Sequence, residues 1–349
     1  MTRVNAIIPA YNAAWCVGRA IGGLLAAGFD ASEIIVVDDG STDRTRELAG
    51  SLGVRLIAMP GNGGAAAARN TGAAAADADV LLFVDADVLV YPDVRARLVD
   101  AFQASMALDA IFGAYDDKPE CRGAVSQFRN LLHHFVHLHG PERPHHFWTG
   151  CGAVRATSFE RLGGFNPGLR MMEDVEFGLR LTSTGGLVQL DRGLRGKHLK
   201  CWTLPSMIRM NIFDRAIPWS RLLLFRHGLV DEFNIDQRHR ASAIMVVLML
   251  IALALAPFEP RALVPGAAAL AGFLGLNWSF HALMFRSAGW WTGLAAVPLH
   301  LVHMICAMTG LGWTILTEYL PWRLFRRPPP VEIWSPGAAG PPPASDPRP

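Results

Sequence analysis

Two carboxylates one residue apart, Asp85 and Asp87, follow the apolar run Val80–Val84, a pattern that presents oxygen ligands to a divalent cation at a strand end. A cation held there implies a phosphate-bearing substrate. An isolated Asp-x-Asp is a weak signal, because two acidic residues in a turn are ordinarily just solvated. Here it belongs to an ordered set. An apolar run ending in Asp38-Asp39-Gly40-Ser41 comes first, then a Gly/Ala-rich turn leading to Arg69 and Asn70, and Glu173-Asp174 follows later.

The elements that must position this set alternate in type. Strands are predicted over 4–8, 33–37, 54–59 and 80–84, with helices over 14–28, 42–52 and 65–76 between them, the signature of a parallel α/β sheet. Ser41-Thr42-Asp43 reads as a helix start and Gly53 as a stop. In such a sheet ligands bind outside the carboxyl ends of the strands, where Tyr11-Asn12, Asp38-Asp39 and Asp85–Asp87 all fall. A second part, 110–200, holds a strand at 110–115, a His-rich helix, the segment 147–154, the turn Gly163-Gly164-Phe165-Asn166 and a helix near 173–183; it reads as an acceptor-side subdomain.

Composition limits the partners. With 349 residues and a net charge of +2, the chain is nearly balanced, which argues against nucleic acid as the main partner, because binding a phosphate backbone normally needs a concentrated basic face. Five scattered cysteines, Cys16, Cys121, Cys151, Cys201 and Cys306, fit reduced thiols better than a disulfide framework. Met1-Thr2-Arg3 runs directly into the first strand with no apolar leader, so the first 240 residues are expected in the cytosol.

After Trp202 the character changes. Residues 204–224 mix apolar side chains with Arg209, Arg215 and Arg221, as in an amphipathic segment on an anionic membrane surface, or a core-packed helix with solvated arginines. Apolar runs over 241–256, 262–285 and 290–316 approach or exceed the roughly 20 residues that cross a bilayer. Three spans are the simplest count, with two or four left open by the short first run and by Pro265-Gly266. Three spans from a cytosolic domain would put Arg323, Arg326 and Arg327 outside, against the positive-inside tendency. The domains expected are therefore 1–200 (catalytic), 201–240 (interfacial), 241–318 (transmembrane) and 319–349, a Pro-rich tail with too little apolar content to fold.

Residues 4–200 resemble family 2 glycosyltransferases of the GT-A fold, a Rossmann-like, mostly parallel sheet. The resemblance rests on Ile7-Ile8-Pro9-Ala10-Tyr11-Asn12, Val36-Val37-Asp38-Asp39-Gly40-Ser41-Thr42-Asp43, Ala68-Arg69-Asn70-Thr71-Gly72, Val84-Asp85-Ala86-Asp87, and Gly163-Gly164-Phe165 leading to Glu173-Asp174. It implies sugar transfer from a nucleotide-sugar to an acceptor. Asp39 would contact the base, with Pro9 and Tyr11 lining the same pocket, and Gly63 and Gly64 would let backbone approach the ligand. Arg69 has two readings, a base or phosphate contact and a structural ion-pair partner. Asp87 and Asp85 would hold Mg²⁺ or Mn²⁺, hard cations suited to oxygen ligands, and His198 would add a metal or diphosphate contact. The resemblance assigns the general base to Asp174 and the orienting role to Glu173, with an inverted anomeric centre in the product.

The other features qualify this reading. His133, His134, His137, His139, His145 and His146 lack the H-E-x-x-H pattern and a completing cysteine, so a zinc site is set aside. Trp148–Gly152 is assigned to the acceptor pocket, with Cys151 as a packed small residue. The Gln-x-x-Arg-Trp motif of processive members is missing; Arg215-Ala216-Ile217-Pro218-Trp219 does not match it, so transfer of one sugar is expected. The expectation is a multi-pass inner-membrane enzyme acting on a lipid-linked or cell-envelope glycan acceptor. Its alternatives are a silent membrane scaffold or lipid-translocation protein, and a sugar nucleotidyltransferase, which would need an early Gly-rich loop.

Overall fold

Uninterrupted apolar runs make the centre of the sheet because helices cover both of its faces. The computed structural model describes residues 2–227 and 237–325. In it β1 (Val4–Ala10), β2 (Ile34–Asp38) and β4 (Val80–Val84) are buried almost throughout. Between them run α1 (Val17–Ala26), α2 (Thr45–Ser51), the edge strand β3 (Arg55–Ala58) and α3 (Ala65–Ala74). These strands pair in parallel, with Ile7 beside both Ile35 and Phe83. Successive side chains alternate faces: Ile8, Val36 and Leu82 pack beneath α1, and Ile7, Val37 and Phe83 pack with Phe159, Phe165 and Phe177 on the other side. The Ala-rich helix α3 lies close on that second face at Gly72, where a Cβ would sit 2.4 Å from Ile7 Cγ2.

Beyond β4 the sheet becomes mixed. The chain continues through β5 (Val88–Val90), α4 (Val94–Ala104), β6 (Leu108–Tyr115), α5 (Ala124–His139), β7 (Cys151–Arg155), α6 (Ala156–Arg161), α7 (Glu173–Ser183) and β8 (Leu187–His198). The strand order is β3-β2-β1-β4-β7-β6-β8-β5, with β7 antiparallel to β4 and β6, and β5 antiparallel to β8. The sequence reading lacks β5, α4 and β8. The last is hidden by an irregularity: Phe112 pairs with Leu190 but Ala114 pairs with Arg195, so residues 191–194 bulge from β8. That bulge sets the register that brings His198 opposite Val88, one residue past Asp87.

Gly113 faces this bulge. A Cβ there would lie 1.7 Å from the Leu194 carbonyl oxygen, a backbone atom that cannot swing aside. Gly113→Ala is expected to destabilise the domain by about 3 kcal/mol or more, read as a drop in the melting temperature of the full chain in detergent. An unchanged melting temperature would mean the bulge does not hold β8 in this register.

The cysteine expectation is corrected. Cys121 and Cys201, 80 residues apart in sequence, are disulfide-bonded with Cα atoms 5.5 Å apart, while Cys16, Cys151 and Cys306 are free and buried. The loop entering α5 and the loop leaving β8 run side by side, since Trp202 N also donates to Ser126 Oγ at 2.5 Å. Spacing along the chain carried no trace of this meeting.

After the sheet come α8 (Leu204–Arg209), a π-helical turn Met210–Ala216, α9 (Ile217–Leu222) and a second π-helical turn Leu223–His227. Pro218 supplies no N–H at the start of α9, which removes one i→i−4 bond where the backbone takes the wider pitch. The helix α10 (Gln237–Leu255) and a continuous helix of 36 residues are long and apolar enough to cross a membrane. The longer one comprises α13 (Trp290–Thr314), a π-helical turn Ile315–Tyr319 and α14 (Leu320–Phe325). Between them α11 (Leu263–Leu276) and α12 (Trp278–Ala288) qualify only as a pair bent by 67°. Asn277 stands at the bend, its amide donating to Ser242 Oγ and to the Phe273 carbonyl at 2.9 Å each. The three arginines of the 204–224 stretch have different fates: Arg209 is exposed, Arg215 enters the cleft described below, and Arg221 clasps Glu318 at 2.8 and 2.9 Å. The tail from Pro328, Arg326 and Arg327, and residues 228–236 of the interfacial segment lie outside the described residues.

Candidate active site

The carboxyl ends of β1, β2 and β4 open into a cleft of about 610 Å³, within the size range of small-molecule and cofactor sites. Pro9, Tyr11, Asp39, Arg69, Asp85, Asp87, Glu173, Asp174 and His198 all line it. At the β1 end Asn12 adopts a left-handed conformation (φ 49°) and ties two loops: its N–H donates to Ser41 Oγ and its Oδ1 accepts from Thr42 N, both at 2.9 Å. Tyr11 is left half exposed at the mouth. Asp39 is buried and holds the glycine loop, Oδ1 accepting from Gly63 N at 2.7 Å and Oδ2 from Gly64 N at 2.9 Å. The two glycines thus bring backbone to this carboxylate, which shapes the pocket wall. Asp43 binds the N–H of Thr45 at 3.0 Å, at the start of α2.

Arg69 makes the ion pairs of its second reading. It is 4% exposed, donates from Nη2 to Asp85 Oδ1 at 2.6 Å and from Nη1 to Glu173 Oε1 at 2.5 Å, and so fastens α3, the strand end and α7 together. The neighbouring Asn70 does the same for the glycine turn: its amide donates to the Phe165 carbonyl at 2.8 Å, and its Oδ1 accepts from Phe165 N at 2.9 Å. The Arg-Asn pair on one helix is therefore a clamp across the cleft floor. Two carboxylates share one guanidinium with Asp174 alongside, so burial and the excess negative charge leave Glu173 with its pKa raised. Asp85 is raised as well, chiefly by burial.

Asp87 faces His198, with Oδ2 and Nε2 3.4 Å apart. The other nitrogen of that imidazole, Nδ1, donates to Asn130 Oδ1 at 2.6 Å, and the ring stacks on Tyr115 with centroids 4.5 Å apart. With the proton assigned to Nδ1, Nε2 turns its lone pair toward the carboxylate, an arrangement suited to a cation between them. Burial acts to raise Asp87, but His198 when it carries a second proton on Nε2, together with Lys200, holds it below the ordinary aspartate value. Among the described residues no three His, Cys, Asp or Glu side chains group around a common point, so a cation here would take its remaining ligands from phosphate and water.

Met172 takes a left-handed conformation (φ 67°) immediately before α7, which starts that helix with Glu173 and Asp174 turned into the cleft. The positive end of the helix dipole favours both carboxylates there. Oδ2 of Asp174 accepts from the N–H and Oγ1 of Thr149, both at 3.2 Å, which fixes it against the 148–152 segment assigned to the acceptor side. The buried histidines are used structurally: Nδ1 of His134 bonds the Tyr115 carbonyl at 2.6 Å and Nδ1 of His137 the Gly113 carbonyl at 3.0 Å.

The sequence reading missed Asn130, Tyr115, Arg129 and Trp202 in this cleft, and treated Arg215 as a surface charge. Asn130 and Arg129 lie on a helix whose histidines drew the attention, and no motif flags them. Trp219 and His303 also line the cleft, from α9 and α13, so it reaches the helices long enough to cross a bilayer.

Residues 6–163 match the sequence profile of glycosyl transferase family 2. This segment is a family 2 glycosyltransferase domain. A stretch of 75 residues, 20% of this chain, is 36% identical to an uncharacterized glycosyltransferase of Haemophilus influenzae. The chain spans only 30% of the length of that curated relative. Among solved structures, the mannosyltransferase PcManGT from Pyrobaculum calidifontis, in complex with GDP-Man and Mn²⁺, superposes with a TM-score of 0.50 at 18% identity, covering 89% of this chain and 87% of its own. Glucosyl-3-phosphoglycerate synthase from Mycobacterium tuberculosis, with Mn²⁺, UDP and glucosyl-3-phosphoglycerate, gives 0.47 at 18% identity over 63% and 79%. The first of these fixes the fold of the family 2 domain as GT-A.

Proposed function

We propose that the chain is a membrane-anchored glycosyltransferase that moves one sugar at a time from a nucleotide-sugar donor to a lipid-linked or cell-envelope acceptor, with inversion. The observation that carries this reading is the convergence in one cleft of Asp39, the Asp87–His198 pair and Asp174 with side chains of α9 and α13. The donor's base end would lie along Pro9, Tyr11 and the Asp39 wall, and its diphosphate beside Asp87. Asp87 and His198 would hold Mg²⁺ or Mn²⁺, with Asp85 tied to Arg69 behind them. When bound, the cation neutralises charge on the diphosphate leaving group. Asp174, held by Thr149, takes the proton of the acceptor hydroxyl as that oxygen attacks the anomeric carbon. A single displacement of this kind inverts the anomeric centre. Arg69 and Glu173 are positioning residues: Arg69 binds both Glu173 and Asp85, and the pair keeps α7 where Asp174 can act.

Membrane attachment is supported by α10, whose Ile244, Leu248, Ile251 and Leu255 stay exposed among the described residues, as lipid-facing side chains do. The reading puts the catalytic domain on the cytoplasmic face of the inner membrane, where nucleotide-sugars are made and where reducing conditions oppose the Cys121–Cys201 bond.

The test is nucleoside diphosphate release by the purified full chain in detergent, offered UDP-, GDP- and dTDP-sugars with Mn²⁺ or Mg²⁺ and a native lipid extract. Release from one donor is expected, abolished by chelation, and reduced by at least about 100-fold in Asp87→Ala. A chain that neither binds nor turns over any of these donors would overturn the reading.

A further inference from the structure

The wall of the cleft formed by α5 and the interfacial segment carries nitrogen donors that no acceptor answers. Arg129 is 6% exposed and lines the cleft, and its Nε has no hydrogen-bond partner among the described residues. Its Nη2 lies 3.9 Å from the sulfur of Met210 and its Cζ 5.9 Å from the Trp202 ring, contacts that leave its charge uncompensated. One turn along the same helix His133 Nδ1 has no hydrogen-bond partner among the described residues, and neither has Trp202 Nε1. Arg215 enters from the π-helical turn Met210–Ala216, and neither arginine has a carboxylate within ion-pair distance among the described residues. The nearby carboxylates are otherwise engaged, since Asp85 and Glu173 bind Arg69 and Asp174 accepts from Thr149. Burial, and then the charge of Arg215, hold Arg129 well below the usual arginine range.

A buried guanidinium without a counter-charge costs several kcal/mol, and planar donor forks of this kind match phosphate oxygens. We propose that Arg129 and Arg215, with Trp202 and His133, form a phosphate-binding site on the acceptor side of the cleft, and that the acceptor is a membrane lipid carrying a phosphate group. This rests on the glycosyltransferase reading for the meaning of acceptor. Two phosphates could seat there, the lipid's or the donor's, and the position favours the lipid. The donor's diphosphate is assigned to Asp87 and His198, which adjoin this site, with the His198 and Trp202 rings 6.3 Å apart. Arg215 lies instead on the side of Asp174, whose charge reaches it, and its neighbour Ala216 packs on Gly310 of α13. A phosphate held between the arginines would therefore present the acceptor's attacking hydroxyl, carried beyond that phosphate, to Asp174 and direct its hydrocarbon toward α13.

The full chain in phosphatidylcholine nanodiscs is titrated calorimetrically with farnesyl phosphate and with farnesol, each with and without saturating UDP or GDP and Mn²⁺. Farnesyl phosphate is expected to bind at least tenfold more tightly than the alcohol, to lose at least tenfold in Arg129→Met and in Arg215→Met, and to keep its affinity when nucleotide is present. Arg129→Met is expected to hold or raise the melting temperature, because it removes an unpaired buried charge. Equal binding of phosphate and alcohol, or unchanged binding in both variants, overturns the site. Displacement of the lipid by nucleotide assigns the arginines to the donor diphosphate and overturns the acceptor assignment. A lower melting temperature in Arg129→Met shows a structural cation and does the same. Failure of the glycosyltransferase reading itself would look different: lipid phosphate binding would persist while no donor releases its nucleotide.

Discussion

Asp174→Asn is expected to lower the rate of sugar transfer by about 10²- to 10⁴-fold, the range a positioned general base contributes, while donor affinity and melting temperature stay near those of the parent. The substitution is isosteric, and the remaining side-chain oxygen can still accept from Thr149, whose N–H and hydroxyl lie 3.2 Å from Oδ2, at the loss of the local bond from Val175 N to Oδ1. What it removes is the basic oxygen at the start of α7, turned into the cleft by the left-handed Met172. Steady-state transfer with donor and acceptor varied separately, beside equilibrium binding of the donor, separates the two effects: the loss belongs in turnover. The same assay followed by NMR of the product anomer checks inversion, which single displacement requires. A variant that transfers at the parental rate would take Asp174 out of the reaction. It would mean that the attacking atom arrives already anionic, as a phosphate oxygen does and a sugar hydroxyl does not.

The parts of the fold that were legible share a physical reason. β1, β2 and β4 are covered on both faces, so their sequences are continuous apolar runs, and the helices between them are marked by starts and stops such as Asp43 and Gly53. β8 was illegible because residues 191–194 bulge out of register and place charged side chains in mid-strand, and β5 because Val88–Val90 is too short to carry a pattern. At the site, the carboxylates that close strands β2 and β4 were readable from order alone, and the cleft gathers them with Glu173, Asp174 and His198. Their hydrogen-bond duties were not readable. That Asp39 would hold Gly63 and Gly64, or that Asn130 would orient His198, depends on loops meeting in space. Arg215 was hidden for another reason: composition marks an arginine in an apolar stretch as solvated or interfacial, and it lies in a π-helical turn, whose extra residue rotates the face on which side chains fall. The Cys121–Cys201 bond likewise joins segments that only the finished sheet brings together.

Arg69→Met is the substitution expected to damage the fold most, because one side chain here neutralises two carboxylates, the buried Glu173 and the half-buried Asp85. Asp85 and Glu173 lie 2.6 and 2.5 Å from its guanidinium, and Glu173 is 6% exposed. Removing one partner of a buried ion pair costs about 3–5 kcal/mol, most of it the charge left behind without compensation. The cost should depend on pH in a definite direction. Burial already raises the Glu173 pKa above the ordinary glutamate value, and loss of the arginine charge raises it further. A carboxyl whose folded pKa exceeds its unfolded value binds its proton more tightly in the native state. It therefore contributes stability in acid, and that contribution is lost as pH rises through the raised folded value. The melting temperature of Arg69→Met should accordingly fall well below that of the parent at pH 8, with the gap narrowing as pH is lowered toward the ordinary glutamate range. Adding Glu173→Gln to Arg69→Met removes one of the stranded charges and should recover part of the loss at pH 8, with a flatter pH profile. A gap of the same size at every pH, or no recovery in the double variant, would show that Arg69 supports the cleft through packing against Phe165 rather than through charge.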